Sequence, residues 1–264
     1  MIMKRYLDLI IRFTQNNLSR EMEFRENFIF WILVQAFYVG LHLLTINIYF
    51  GFADTIAGWT KPEVYLLVGI FRVMEGAFKM LIHPNIVKLP EFINRGDLDF
   101  ALTKPVNTQF LLGTRYQRLD EAATILGGVG VLVYVYSQNL ILFSWASILS
   151  ILPFSLLGLT VMYSLMMFFV TFSVFLTKMS SIWVYWEVLS KSLRLPIDVY
   201  THGSKVFNGI LWPFVIVVTL PAQIILGKMP AYFFFLEIIG CAILLWAVNK
   251  FWNFALRHYS SASS

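Results

Sequence analysis

From Phe28 to Phe50 the chain carries no Asp, Glu, Lys or Arg. A helix of that length crosses a hydrocarbon core of ~30 Å. In lipid the backbone has no water to bond, and a helix satisfies its N–H and C=O groups within one segment. Similar apolar runs recur to the end of the chain. Only 13% of the residues are charged and 58% are hydrophobic, against about 25% charged in soluble domains. We therefore expect an all-α polytopic membrane protein with about six spans in one domain, residues 1–264. The net charge of +5 is read as the bias of Lys and Arg toward the cytoplasmic side, not as a nucleic-acid surface. Cys241 is the single cysteine, so no disulfide forms within the chain. The N-terminus lacks the apolar stretch of a cleavable signal.

The expected spans are 28–50, 64–82, 120–137, 146–176, 179–195 and 231–253. Before them, residues 1–25 place Tyr6, Leu9, Ile10 and Phe13 at helical spacing, with Lys4, Arg5, Asp8, Arg12 and Asn16 opposite. That pattern fits a helix lying in the membrane interface, or one packed on neighbouring elements. The second span contains Arg72 and Glu75, three residues apart and able to pair on one face. The pair reads as a gating or substrate-path element, or as a lock between helices. In the third span Gly127, Gly128 and Gly130 thin the helix for close packing in lipid. Pro153 marks a bend or lead-in to the fourth. Trp59, in the short loop before the second span, suits the interface.

The last third is open to two readings. Pro213 and Pro221 each remove a backbone bond, and together argue for a re-entrant hairpin over residues 206–227, with 179–195 as the fifth span. Alternatively 206–226 is the fifth span and 180–205 is cytoplasmic. The N-terminal segment, the end of the chain and the polar break at 83–118 are rich in Lys and Arg, which puts both termini and that break in the cytoplasm.

The polar break is too short for an enzyme domain. It reads as a short helix, NIVKLPEFINRG, a Gly turn at Gly96, an extended LDFALTKP and a second helical start. Leu98 and Phe100 are expected to anchor the segment after the turn. No His pair has metal-binding spacing, and neither G-x-S-x-G nor the phosphate loop G-x-x-x-x-G-K-[ST] occurs. The HGSK at residues 202–205 reads as a turn. Asp97, Asp99, His83, Asp120 and Glu121 are the candidates if the chain is instead a lipid-modifying membrane enzyme.

Three stretches resemble the permeases of ABC-2 type transporters, in order along nearly the whole chain. PEFINRGDLDFALTKPVNTQF (90–110) is similar to the family's short helix, Gly with a Leu-Asp pair, and Lys/Arg-Pro. LRLPIDVYTHGSKVFNGILWPFVIVVTLPAQIILG (193–227) resembles its proline-broken segment before the last span. GIFRVMEGAF (69–78) is a weaker match. The resemblance implies a short permease subunit in the bacterial cytoplasmic membrane, exporting a hydrophobic or amphipathic substrate. It also implies that residues 83–118 carry a coupling helix, with Ile86, Leu89, Glu91, Phe92, Arg95, Gly96, Asp97 and Asp99 as coupling residues. Two copies of a separate ATP-binding subunit would hold the ATP and Mg. A second permease, the same or a related chain, would complete the path, and this chain would hold no cofactor or metal of its own.

Overall fold

The computed structural model describes residues 2–138, 145–175, 195–200, 215–230 and 232–259, nearly all of them helical. Helix α1 (Ile2–Glu23) leads into α2 (Arg25–Phe52). Two short strands, β1 (Thr55–Ile56) and β2 (Trp59–Thr60), form a hairpin. Helix α3 (Lys61–Leu81) returns through the bundle. The polar break folds as four short helices: α4 (His83–Ile86), α5 (Leu89–Arg95), α6 (Asp97–Leu102) and α7 (Thr108–Thr114). A 3-10 turn at Leu119–Glu121 opens α8 (Ala122–Ser137). Helix α9 (Trp145–Thr171) ends in a second 3-10 turn, Phe172–Val174. A π-helical turn, Val215–Thr219, precedes α10 (Leu220–Ile225), and α11 (Phe233–His258) closes the chain.

Among the described residues four helical stretches are long and apolar enough to cross a membrane: Arg25–Phe52, Leu119–Ser137, Leu149–Val174 and Phe233–His258. They match the first, third, fourth and last expected spans within a few residues. Helix α3 coincides with the second but is of another kind. Lys61, Glu63, Arg72, Glu75 and Lys79 lower its hydropathy, and it is the most buried helix of the bundle. Its charges are tolerated because protein, not lipid, surrounds it. The fifth span at 179–195 falls almost wholly outside the described residues, as do residues 206–214 of the hairpin and Pro213 with them.

The core is the α3–α8 contact. A Cβ on Gly128 would lie 2.7 Å from the Val73 nitrogen, and one on Gly76 2.9 Å from the Ile125 nitrogen. The two backbones thus approach as only small residues permit. Gly127 makes room for a side chain instead: a Cβ there would lie 2.9 Å from the Val39 methyl of α2. Gly130 does not: a Cβ there would meet nothing within 4 Å. Of the three glycines assigned to packing, Gly130 borders open space instead.

Pro221 is the second residue of α10 and directly follows the π-helical turn, where its missing N–H and its ring against the preceding turn are absorbed by the wider coil. Pro153 sits inside α9, and the helix continues through it. Trp59 is buried, with its indole N–H donating to Asp198 at 2.8 Å. The hairpin turn has positive φ at both Ala57 (49°) and Gly58 (81°), the pairing a two-residue loop of this hand requires. An alanine in that position gave no turn signal in the sequence.

Candidate functional site: the α4–α7 loop and its polar column

The loop is built as a knuckle with one face fixed in the bundle. Ile86, Leu89, Ile93 and Leu98 are buried in the main core. Gly96 lies between α5 and α6 with φ +78°, a left-handed conformation that residues with a Cβ adopt poorly. This is the turn expected after the short helix. The extended strand expected after it is absent, because Asp97–Leu102 is helix α6. Asp97 and Asp99 fall in its first turn, where carboxylates favour the positive end of the helix dipole. Leu98 anchors the segment as expected. Phe100 does not: it is 72% exposed. The coupling helix expected from Ile86 to Asn94 is resolved into α4 and α5, with Pro84 and Pro90 in their first turns.

Glu91 and Arg95 pair on the outer face at 2.8 Å, both well exposed. A surface pair of this kind adds at most ~1 kcal/mol, so both side chains remain available to a partner. Phe92 points the other way, its ring beside that of Tyr116. Around Tyr116 three cations gather: the Lys88 ammonium stands 3.6 Å from the ring centroid, with the Arg20 and Arg115 guanidinium groups near 6 and 5 Å. Burial and these two arginines hold the Lys88 amine below its usual range. The knuckle thus joins an exposed aromatic to a concentrated positive patch.

Asn85 fastens this assembly and has no counterpart among the residues singled out from the sequence. Its amide donates to the Tyr116 carbonyl at 2.7 Å and its oxygen accepts from the Tyr116 N–H at 2.7 Å. A buried Asn bridging two backbone segments leaves no motif in one sequence. Asn17 of α1 donates to the Arg115 carbonyl at 2.9 Å, and Glu21 accepts from the Leu119 N–H. Tyr6 packs edge-on against Phe110 of α7 at 4.5 Å. So α1 rests on the loop by one stripe, while Leu7, Ile11 and Leu18 are left exposed on another. At the far end of the chain Tyr259 sits by α6, its phenol raised by burial and by the Asp99 and Asp97 charges.

A column of buried polar groups runs from the loop into the bundle. Arg72 pairs with Glu75 at 2.9 Å, as the spacing predicted, and Glu75 also pairs with Lys79 at 2.9 Å. Arg72 donates in addition to the Tyr38 carbonyl of α2 at 3.2 Å, so the pair ties α3 to α2. One layer nearer the loop, Glu121 accepts from Gln35 and Thr124 at 3.0 Å. Arg118 clamps Asp120 at 2.6 Å. Burial alone would lower the Arg118 guanidinium, but its bonds to Asp120 outweigh that and raise it. Between the two layers lies His83, buried and pushed down to about 4, by burial first and then by Lys79 and Arg118. It is therefore neutral at pH 7.

Two of the five acid–base candidates, Asp120 and Glu121, are thus engaged in bonds that hold the loop to the bundle. Among the described residues no three of His, Cys, Asp and Glu come together as a metal site. Glu237 on α11 passed unremarked in the sequence, though a lone acid in an apolar run was a visible signal. It is 3% exposed, and among the described residues neither carboxylate oxygen has a hydrogen-bond partner.

A family model described as ABC-2 family transporter protein matches residues 36–263. The chain belongs to the ABC-2 transporter family. No curated protein and no solved structure matches it. The family's chains are membrane permeases of ABC transporters, typically the non-catalytic subunit, working with an ATP-binding subunit. The matched region spans the knuckle, the column apart from Gln35, and the four apolar helices apart from the α2 residues before position 36.

Proposed function

We propose that this chain is the permease subunit of an ABC exporter and that the α5–α6 knuckle is where a separate ATPase chain pushes on it. The observation that carries the reading is the knuckle's two-sidedness. One face, with Leu89, Ile93 and Leu98, is sealed into the bundle. Outside it, Phe100 of α6 and the Glu91–Arg95 pair of α5 are left exposed. Aromatic and Arg side chains are the ones enriched among interface anchors. The sequence holds no phosphate loop, so ATP and Mg would reside on two ATPase subunits. Their closure would shift the population between two permease conformations, with the polar column carrying the displacement to α3 and α8. A second permease, the same or a related chain, would complete the path for a hydrophobic or amphipathic substrate. Loop and termini would face the cytoplasm of a bacterial cell.

The test is co-purification and coupled transport. Losing one aromatic anchor of about 2 kcal/mol corresponds to about thirtyfold weaker association. Phe100→Ala and Glu91→Arg should therefore recover far less ATPase in pull-downs, or uncouple hydrolysis from transport, while membrane insertion is unchanged. Normal recovery together with full transport in both variants would remove the knuckle from the coupling role.

A further inference from the structure

Helices α2 and α8 touch at Val39 and Gly127 and part beyond that contact. The gap is a groove of about 640 Å³, at the end of the bundle remote from the α4–α7 loop. Its walls are Val39, Leu43, Gly130 and Val131, and its floor is Tyr65 of α3. From Gly127 to Tyr134 it extends about 10 Å along α8, at 1.5 Å per residue. The lining is apolar except at the mouth, where Lys61 and Asn47 stand. Small-molecule sites have this size and this make-up, mostly apolar with a few placed polar groups.

The mouth carries an uncompensated charge. Lys61 makes no ion pair among the described residues and lies over the Tyr65 ring at 5.8 Å. The adjacent carboxylate, Glu63, is already taken by Lys228 at 2.8 Å and by the Thr60 N–H at 2.8 Å. Asn47 is also engaged: its oxygen accepts from the Tyr65 hydroxyl and its amide donates to the Leu43 carbonyl. A lysine at a helix end often only reaches for water. Here it borders an open apolar groove instead, and that groove fits a chain with a negative head.

We propose that the α2–α8 groove binds an anionic phospholipid, its acyl chain along Val39, Leu43, Gly130 and Val131 and its phosphate on Lys61. The inference concerns binding at equilibrium and does not rest on the permease reading. Purified full-length protein is exposed to phosphatidylglycerol or phosphatidylcholine of identical chains, and retained lipid is counted by native mass spectrometry. Wild type should retain the anionic lipid preferentially. Lys61→Gln should cut that preference about fivefold, the contribution of one cation near a lipid surface, and Lys61→Arg should restore it. Gly130→Leu should exclude both lipids, since the new side chain enters space that nothing occupies. Equal preference in Lys61→Gln and wild type would overturn the proposal. So would displacement of the lipid by inorganic phosphate alone, or a Gly130→Leu variant that changes the oligomeric state while keeping its lipid.

Discussion

His83 shows how one side chain can report on the whole loop. It is buried beside two cations and neutral at pH 7, with its titration moved from 6.5 to about 4. Between those values the unfolded chain binds the proton and the folded chain does not, so stability rises with pH across that window. The His83 contribution is complete above about 6.5, is lost as pH falls, and is spent below about 4. The size is about 3 kcal/mol. Thermal unfolding in detergent should therefore lose more stability between pH 7 and 4.5 in wild type than in His83→Gln. Parallel pH profiles for the two proteins would mean that His83 is not held neutral. Nothing in the sequence marks His83 for this role, because its environment combines Lys79, one turn away, with Arg118, which is distant along the chain. Gly96 is the opposite case. Its left-handed turn was legible because the residue type itself permits what the backbone needs.

At the scale of elements, sequence patterning succeeded where one residue type dominated and failed where two patterns competed. The long apolar helices were readable from length alone. The segment after Gly96 sets Leu98, Phe100 and Leu102 at every second position, with Asp97, Asp99 and the small Ala101 between, close to a strand's period. The helix that forms instead buries Leu98 and Ala101, three residues apart, and leaves Phe100 and Leu102 outside. Tertiary contact with the bundle decided between the two. Helix α3 was legible through its ion pair, but not the pair's third member. Glu75 lies between Arg72 and Lys79. Removing it takes a carboxylate from both the buried Arg72 and the half-buried Lys79, whereas removing Arg72 leaves Glu75 with Lys79. We expect Glu75→Ala to cost more than Arg72→Ala, on the order of 3–5 kcal/mol for a broken buried pair. The double variant should be better folded than Glu75→Ala, read as monodisperse protein recovered from membranes. Additive losses would show that the two residues do not interact.

For the molecule as a whole, the distribution of Lys and Arg sets a direction that can be tested from outside the cell. Asn107 precedes α7 on the loop, and Asp54 lies at the hairpin at the other end of the bundle; both are exposed. The native Cys241 is buried and gives little background. In intact cells a cysteine at Asp54 should react with an impermeant thiol reagent and one at Asn107 should not. Labelling at Asn107 would invert the orientation. The outline of the bundle was readable because four of its helices each satisfy lipid on their own. The knuckle's fastening was not, since Asn85, Asn17 and Glu21 act by bonding backbone groups far along the chain.

Helix α3 lies at the centre of the bundle yet is not apolar enough to settle in a bilayer alone. Its place is made by α8, which is synthesised only after the entire α4–α7 loop. The packing surface that α8 offers α3 through Gly128 exists only once the α4–α7 loop has already been made. The element that would receive the ATPase is therefore synthesised before the helix it would move has its final packing partner.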